Sequence, residues 1–306
     1  MAIKIKKEAL IVIALLSLLI VGASGCELPG SGGTTASKTG LDFSLVSGFD
    51  KISSGKVTNL GDALIVHIKI ENYDKKERAG EICIRDDLDD SYGGVTSQCS
   101  PFVVGEAEVT SAGGGFFGAT EQVQPGTTDI LFPAGGEFVY TGLPITQRAN
   151  IYITASYEQE SRIEAPNGIA VPSPETETVQ LSQEPAPISA SVEKSISRQQ
   201  DAYKVNLGIT LTKQQTVEVF SPGFGKKGFL SFKAEMRPRT LTCEPAGSYD
   251  QQLFAQGLLE MESTKFINCF SLVDVTEQTT WPLTLDVNYG VKLEKNFPFT
   301  IQVEQQ

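Results

Sequence analysis

Few residues of this 306-residue chain have the types and spacing that chemistry needs. Four carboxylates crowd one short stretch, Asp86-Asp87-Leu88-Asp89-Asp90, with Glu81 before it and Gly93-Gly94 after it. Oxygen donors at this density suit Ca²⁺, a hard cation that takes about 6–8 oxygens. Their spacing is not that of an EF-hand loop, and the plainer reading is a solvated acidic turn. The single histidine, His67, excludes any site built on two histidines, and with it most zinc enzymes. It falls on the opposite face of its strand from an apolar row, which suits an exposed or cross-strand packing role better than a ligand. No GxSxG, HExxH or Cys–His pairing marks a nucleophile. Carboxylates are plentiful, but nothing selects a glycosidase-type pair.

Two glycine-flanked loops carry aromatics. Gly113 to Gly118 holds Phe116 and Phe117. An exposed pair of this kind makes a contact tip for a partner or a membrane; the alternative is a loop that folds its rings back onto the body. The stretch GFGKKGF, residues 223–229, has the same two readings, with Lys226 and Lys227 as a local basic spot. A hairpin tip is its simplest description.

The N-terminus reads as an address. Lys4, Lys6 and Lys7 precede an unbroken small-or-apolar run from Ala9 to Val21. That run is too short for the ~20 residues of a membrane span and has the length of a signal-peptide core. Ala23-Ser24-Gly25-Cys26 resembles a lipobox, which implies a signal peptide over residues 1–25 and lipidation of Cys26. An uncleaved anchor is the other reading. Either way the membrane is the expected partner of the N-terminus, and the rest of the chain is expected outside the cytoplasm, on the outer face of the cell membrane. Removing residues 1–25 takes the formal charge from −12 to −14. Such an acidic chain repels phosphates, so no nucleic-acid partner is expected. Residues 26–40, rich in Gly, Ser and Thr, read as a flexible tether spanning on the order of 20 Å.

Beyond the tether the pattern has period two. Leu64, Val66, Ile68 and Ile70 share one face of a strand, and Leu283, Leu285, Val287, Tyr289, Val291 and Leu293 share one face of another. Strict alternation of this kind means one face in a core and one in water, as antiparallel sheets allow. A weak 3–4 period over Tyr249–Ser263 is the one helix candidate, with a plain loop as the alternative. The Pro-containing stretch 182–187, SQEPAP, divides the rest into residues 41–181 and 188–304. Setting Cys26 aside leaves Cys83 and Cys99 in the first part and Cys243 and Cys269 in the second. Four cysteines allow three pairings, and pairing within each part needs no crossing between them. Free thiols suit an exported chain poorly, and the lack of any CxxC argues against a zinc site.

Each part opens with a strand, then a turn, then a strongly alternating strand; DALIVHIKIENY, residues 62–73, is the clearest case. This layout resembles the immunoglobulin-like, cell-adhesion-related β-sandwiches of archaeal and bacterial surface lipoproteins. The resemblance implies an all-β chain of two tandem immunoglobulin-like antiparallel β-sandwiches. It carries no function, because one fold serves many. The expected function is that of a non-enzymatic, membrane-anchored protein of cell-envelope structure, adhesion or assembly. Its partners would be other envelope proteins or a surface ligand, and no cofactor is expected unless calcium binds. The alternative is a ligand-binding or accessory lipoprotein of an envelope transport or secretion complex.

Overall fold

The structure, a computed structural model, describes residues 40–46, 57–112, 120–171, 176–184, 186–245, 256–274 and 279–303. Its principal strands are β1 (Leu41–Leu45), β2 (Val66–Asn72), β3 (Arg78–Asp86), β4 (Gln98–Val104), β5 (Gly126–Phe132), β6 (Gln147–Glu164), β7 (Glu177–Val179) and β8 (Ile188–Gln199). They continue with β9 (Ala202–Lys213), β10 (Val217–Phe220), β11 (Phe229–Met236), β12 (Thr242–Pro245), β13 (Gln256–Glu260), β14 (Thr264–Asp274) and β15 (Leu283–Gln302). No α-helix occurs among the described residues, and no helix there is long and apolar enough to cross a membrane. The architecture is all-β, in antiparallel sheets that stack as sandwiches.

Two long strands organise it. β6 and β15 pair antiparallel without interruption from Gln147↔Ile301 to Glu164↔Thr284, 18 residues of β6 in all. They form the middle of a sheet ordered β13-β11-β15-β6-β3-β4. Odd-numbered residues of both strands face the core along most of their length: Ala149, Ile151, Ile153, Ala155 and Tyr157 on β6, and Leu283, Leu285, Val287, Tyr289 and Val291 on β15. Two smaller sheets cover that inward face. One is β1-β2-β5, which brings Phe43, Ile68 and Ile70; the other is β7-β8-β9-β14-β12, which brings Val192, Leu207, Ile209 and Ile267. We call these the first and second lobes. Burying roughly 1.5–3 kcal/mol of transfer free energy per large apolar side chain against water is what holds such layers together.

The sequence boundary at residues 182–187 does not separate two independent bodies. β6 belongs to the first half of the chain and β15 to the second, yet their ladder is the longest among the described residues. Inside the boundary itself, Ser182 and Gln183 pair with Glu164 and Ile163 of β6, and Ala186 is buried. The hydrophobic core is accordingly one continuous cluster that runs from Leu41 to Ile301. Two prolines in six residues read as a linker because proline is a poor strand former; Ser182 and Gln183 pair nonetheless. The helix candidate is also corrected. Gln256–Glu260 is strand β13, paired with β11, and residues 249–255 lie outside the described residues. A register facing one neighbour on a sheet edge overrides a weak helical period.

Candidate functional site

The acidic turn does not form a cation site, because its carboxylates diverge. Asp86 accepts from the Tyr140 hydroxyl (2.6 Å), Leu88 N–H (3.0 Å) and Val95 N–H (3.1 Å). Asp87 accepts from the backbone and side-chain N–H groups of Asn150 (2.8 and 2.7 Å). Asp89 caps the 3₁₀ turn Asp90–Tyr92 through Ser91 N–H (2.9 Å), and the Ser91 hydroxyl together with that N–H holds its carboxyl below the usual aspartate range. Burial pushes the Asp86 carboxyl up while its three donors pull it back. The cluster is therefore a pin that fixes the β3–β4 connection, and the calcium expectation for Asp86, Asp87, Asp89 and Asp90 is withdrawn. Among the described residues the one group of metal-ligand type that converges is Glu81 with Cys83 and Cys99, and those sulfurs are bonded to each other.

The cysteines pair as Cys83–Cys99 and Cys243–Cys269. Each pair joins directly opposed residues of neighbouring strands, β3 with β4 and β12 with β14. His67 is half-buried and its Nε2 lies 3.0 Å from Asp129 on the adjacent strand β5, a cross-strand packing role. The GFGKKGF stretch is the tip of a hairpin, as expected: Phe220 bridges to Lys227 and Gly228 N–H donates to Val219 O (2.7 Å). Its Pro222–Phe224 3₁₀ turn docks on the outward face of β15, where a Cβ on Gly290 would come within 3.0 Å of the Phe224 ring, and Gly223 N–H donates to Glu158 (2.8 Å). Lys226 lies 3.7 Å over the Phe229 ring, and Lys227 pairs with Glu218 at 2.5 Å, so one of the two charges of the basic spot is matched locally. Cys26, Phe116 and Phe117 lie outside the described residues.

Where the lobes meet, the inward face of β6 turns from apolar to polar. Gln159 and Ser161 are buried there, Gln159 opposite Tyr289 of β15. The β2–β3 turn contributes Asp74 and Arg78, an ion pair at 2.8 Å with side chains 0% and 7% exposed. Asn72 ties that turn down through Lys76 O (2.7 Å) and Gly105 O (2.8 Å). Burial pushes the Asp74 carboxyl above its usual range, and the Arg78 guanidinium pulls against it. The two tyrosines each reach one lobe: Leu41 N–H, at the start of β1, donates to Tyr157 Oη (3.5 Å), and Ile188 N–H, at the start of β8, donates to Tyr289 Oη (3.2 Å). Burial drives both phenols far above their ordinary pKa, so both hydroxyls stay protonated. Asp74 Oδ1, Arg78 Nη2 and Gln159 Oε1 have no hydrogen-bond partner among the described residues.

The outward face of the same stretch forms an open cleft of about 650 Å³. Its floor is two cross-strand rows, Gln256–Lys233–Asp286–Arg162 running through β13, β11, β15 and β6, and Ser231–Asn288–Glu160 running through β11, β15 and β6. Lys76 stands at its rim. β3 pairs with β6 as far as Tyr157 and Ser182–Gln183 from Ile163 on, so residues 158–162 have β15 alone as a ladder partner. Within the rows, Lys233 turns to Glu235 (2.6 Å) and Arg162 to Glu164 (2.7 Å), each two residues along its own strand. Asp286 sits in register between the two cations and is left without either. Sequence reasoning missed this cleft. Its residues are the ordinary polar half of alternating strands, and what gathers them is ladder register across four strands distant in the chain.

No protein-family model and no curated protein matches this chain. Among solved structures it is similar to a secreted serine protease, VesC from Vibrio cholerae, at 7% identity over 82% of this chain and 51% of that one, with a TM-score of 0.22. It is also similar to red sea bream transglutaminase, at 9% identity over 88% of this chain and 32% of that one, with a TM-score of 0.23. The chain thus spans about half of the first protein and about a third of the second. Both neighbours are enzymes, contrary to the sequence expectation of a non-enzymatic chain, and the lack of a recognised motif does not exclude catalysis. Likenesses at these TM-scores carry neither protein's activity over to this one.

Proposed function

We propose that this chain is a membrane-anchored extracytoplasmic protein that acts in cell-envelope structure, adhesion or assembly, with an immunoglobulin-like body. The observation that supports the reading is the pairing of all four body cysteines into two disulfides, behind an N-terminus that reads as an export signal. Disulfides persist in oxidising compartments and are rare in a reducing cytosol. The 18-residue β6–β15 ladder suits a mechanical or scaffolding role, because it makes the two lobes one stiff unit. Expression of the full chain with its own N-terminus tests the reading. Cell fractionation, protease shaving and mass spectrometry of the mature N-terminus should find a surface-exposed protein beginning at a diacylated Cys26. Cys26→Ser should release it or leave it held by an uncleaved N-terminal segment. A full-length protein in the cytosol with four alkylatable body thiols would overturn the proposal.

A second reading is an accessory lipoprotein of an envelope transport or secretion complex. The observation that favours it is the open polar cleft, which a purely structural module does not need.

A further inference from the structure

We propose that the cleft on the outward face of the β13-β11-β15-β6 sheet binds a neutral oligosaccharide. The proposal goes beyond the envelope reading and uses none of the N-terminal segment.

The volume, about 650 Å³, is that of a small-molecule site. The chemistry of the lining decides the class of ligand. Asp286, Glu160, Asn288 and Ser231 make no side-chain hydrogen bond or ion pair among the described residues, although cations stand in register beside Asp286. Lys233 and Arg162 are held by Glu235 and Glu164 instead. The floor therefore presents carboxylate and amide acceptors, with amide, hydroxyl and ammonium donors from Asn288, Ser231 and Lys76 between and beside them. A hydroxyl is one donor and two acceptor sites, so a ligand dense in hydroxyls satisfies such a mixed set, and an apolar one does not.

Charge argues for neutrality. The lining has three cations, Lys76, Arg162 and Lys233, against two carboxylates, Glu160 and Asp286, in a chain of 25 basic and 37 acidic residues. A near balance produces no strong local field to select an anion or a cation. Apart from Lys76 in the β2–β3 turn, these groups stand on strands of one continuous ladder, so their spacing is set before any ligand arrives, which keeps the ordering cost of binding low.

The test is calorimetry and protein-observed NMR on the full chain in mild detergent, with cellotriose, maltotriose, chitotriose and mannotriose as probes. Saturable binding of at least one, weakened about tenfold or more in Asp286→Asn and further in Asp286→Asn with Glu160→Gln, supports the proposal. Val103→Ala, at an exposed site on β4 outside the cleft, should bind like the parent. Should either carboxylate variant unfold, Gln256→Ala on the edge strand reads the same contact. The proposal fails if none of the four sugars saturates up to about 10 mM. It also fails if the double variant binds unchanged, or if hexalysine or dextran sulfate binds the cleft more tightly than any neutral sugar.

Discussion

The two lobes use the same devices with different degrees of burial. Each has a disulfide between directly opposed strand residues, on strands β3 and β4 of the shared sheet for the first lobe and on its own strands β12 and β14 for the second, and each sends one strand, β1 or β8, to a buried tyrosine hydroxyl of the shared sheet. On the side of the first lobe, Cys99 of the shared sheet is exposed, Cys83 half-buried, and the Tyr157 hydrogen bond is 3.5 Å long. In the second lobe Cys243 and Cys269 are both 0% exposed, and the Tyr289 hydrogen bond is 3.2 Å. The first cover sheet has three strands and the second five. The difference teaches that equal covalent chemistry need not mean equal stabilisation. Loop entropy alone rates the closures nearly alike, at about 3 kcal/mol for 16 residues and about 3.5 kcal/mol for 26. Packing around the sulfurs is what separates them.

Removing the staples is the strongest way to break this comparison. Cys243→Ala with Cys269→Ala should destabilise by about 4–5 kcal/mol in urea denaturation, because it adds a core cavity to the lost closure. Cys83→Ala with Cys99→Ala should lose about 3 kcal/mol. Equal losses would mean that closure, not packing, sets the value of both.

The junction comes next. Asp74→Ala leaves the Arg78 guanidinium buried without its carboxylate and should cost about 3–5 kcal/mol. Because the two lobes share β6 and β15, their unfolding should stay a single transition by near- and far-UV circular dichroism. Two transitions would show that the lobes are separable after all. The pH dependence has a definite sign. The folded-state pKa of Asp74 is raised, so its contribution to stability is fully present below the ordinary aspartate value and is lost as pH rises through the raised one. Wild type should therefore gain stability relative to Asp74→Asn as the pH is lowered through that window. A constant difference would contradict the burial argument.

Smaller effects sharpen the tyrosine comparison. Tyr289→Phe strands the buried Ile188 N–H and should cost about 1–3 kcal/mol. Tyr157→Phe, with its longer bond, should cost about 1 kcal/mol or less. Gly290→Ala should cost less still, under about 1 kcal/mol, since the Phe224 ring it pushes is 38% exposed and free to give way. Faster amide exchange confined to residues 221–228 would be its signature.

Much of the strand content was legible from alternation alone. Leu64 to Ile70 and Leu283 to Val291 bury the faces their patterns imply, because a period of two has only one way to put apolar groups in a core. Cysteine pairing was legible for a related reason: few partners exist within reach. The acidic turn was misleading, since Asp86, Asp87 and Asp89 look alike in sequence but take donors from three different directions. The cleft was invisible, since Glu160, Arg162, Lys233 and Asp286 signal only the wet side of a strand.

Composition and periodicity, then, settle that this chain is acidic, disulfide-stapled and all-β, because each of those properties is local or additive along the chain. Only the tertiary structure decides that its halves share one sheet, that a buried ion pair lies between the lobes, and that a polar cleft lies on the reverse of the same strands. The reason is register: a ladder places residues more than 100 positions apart side by side, and no local pattern records which strand will be the neighbour.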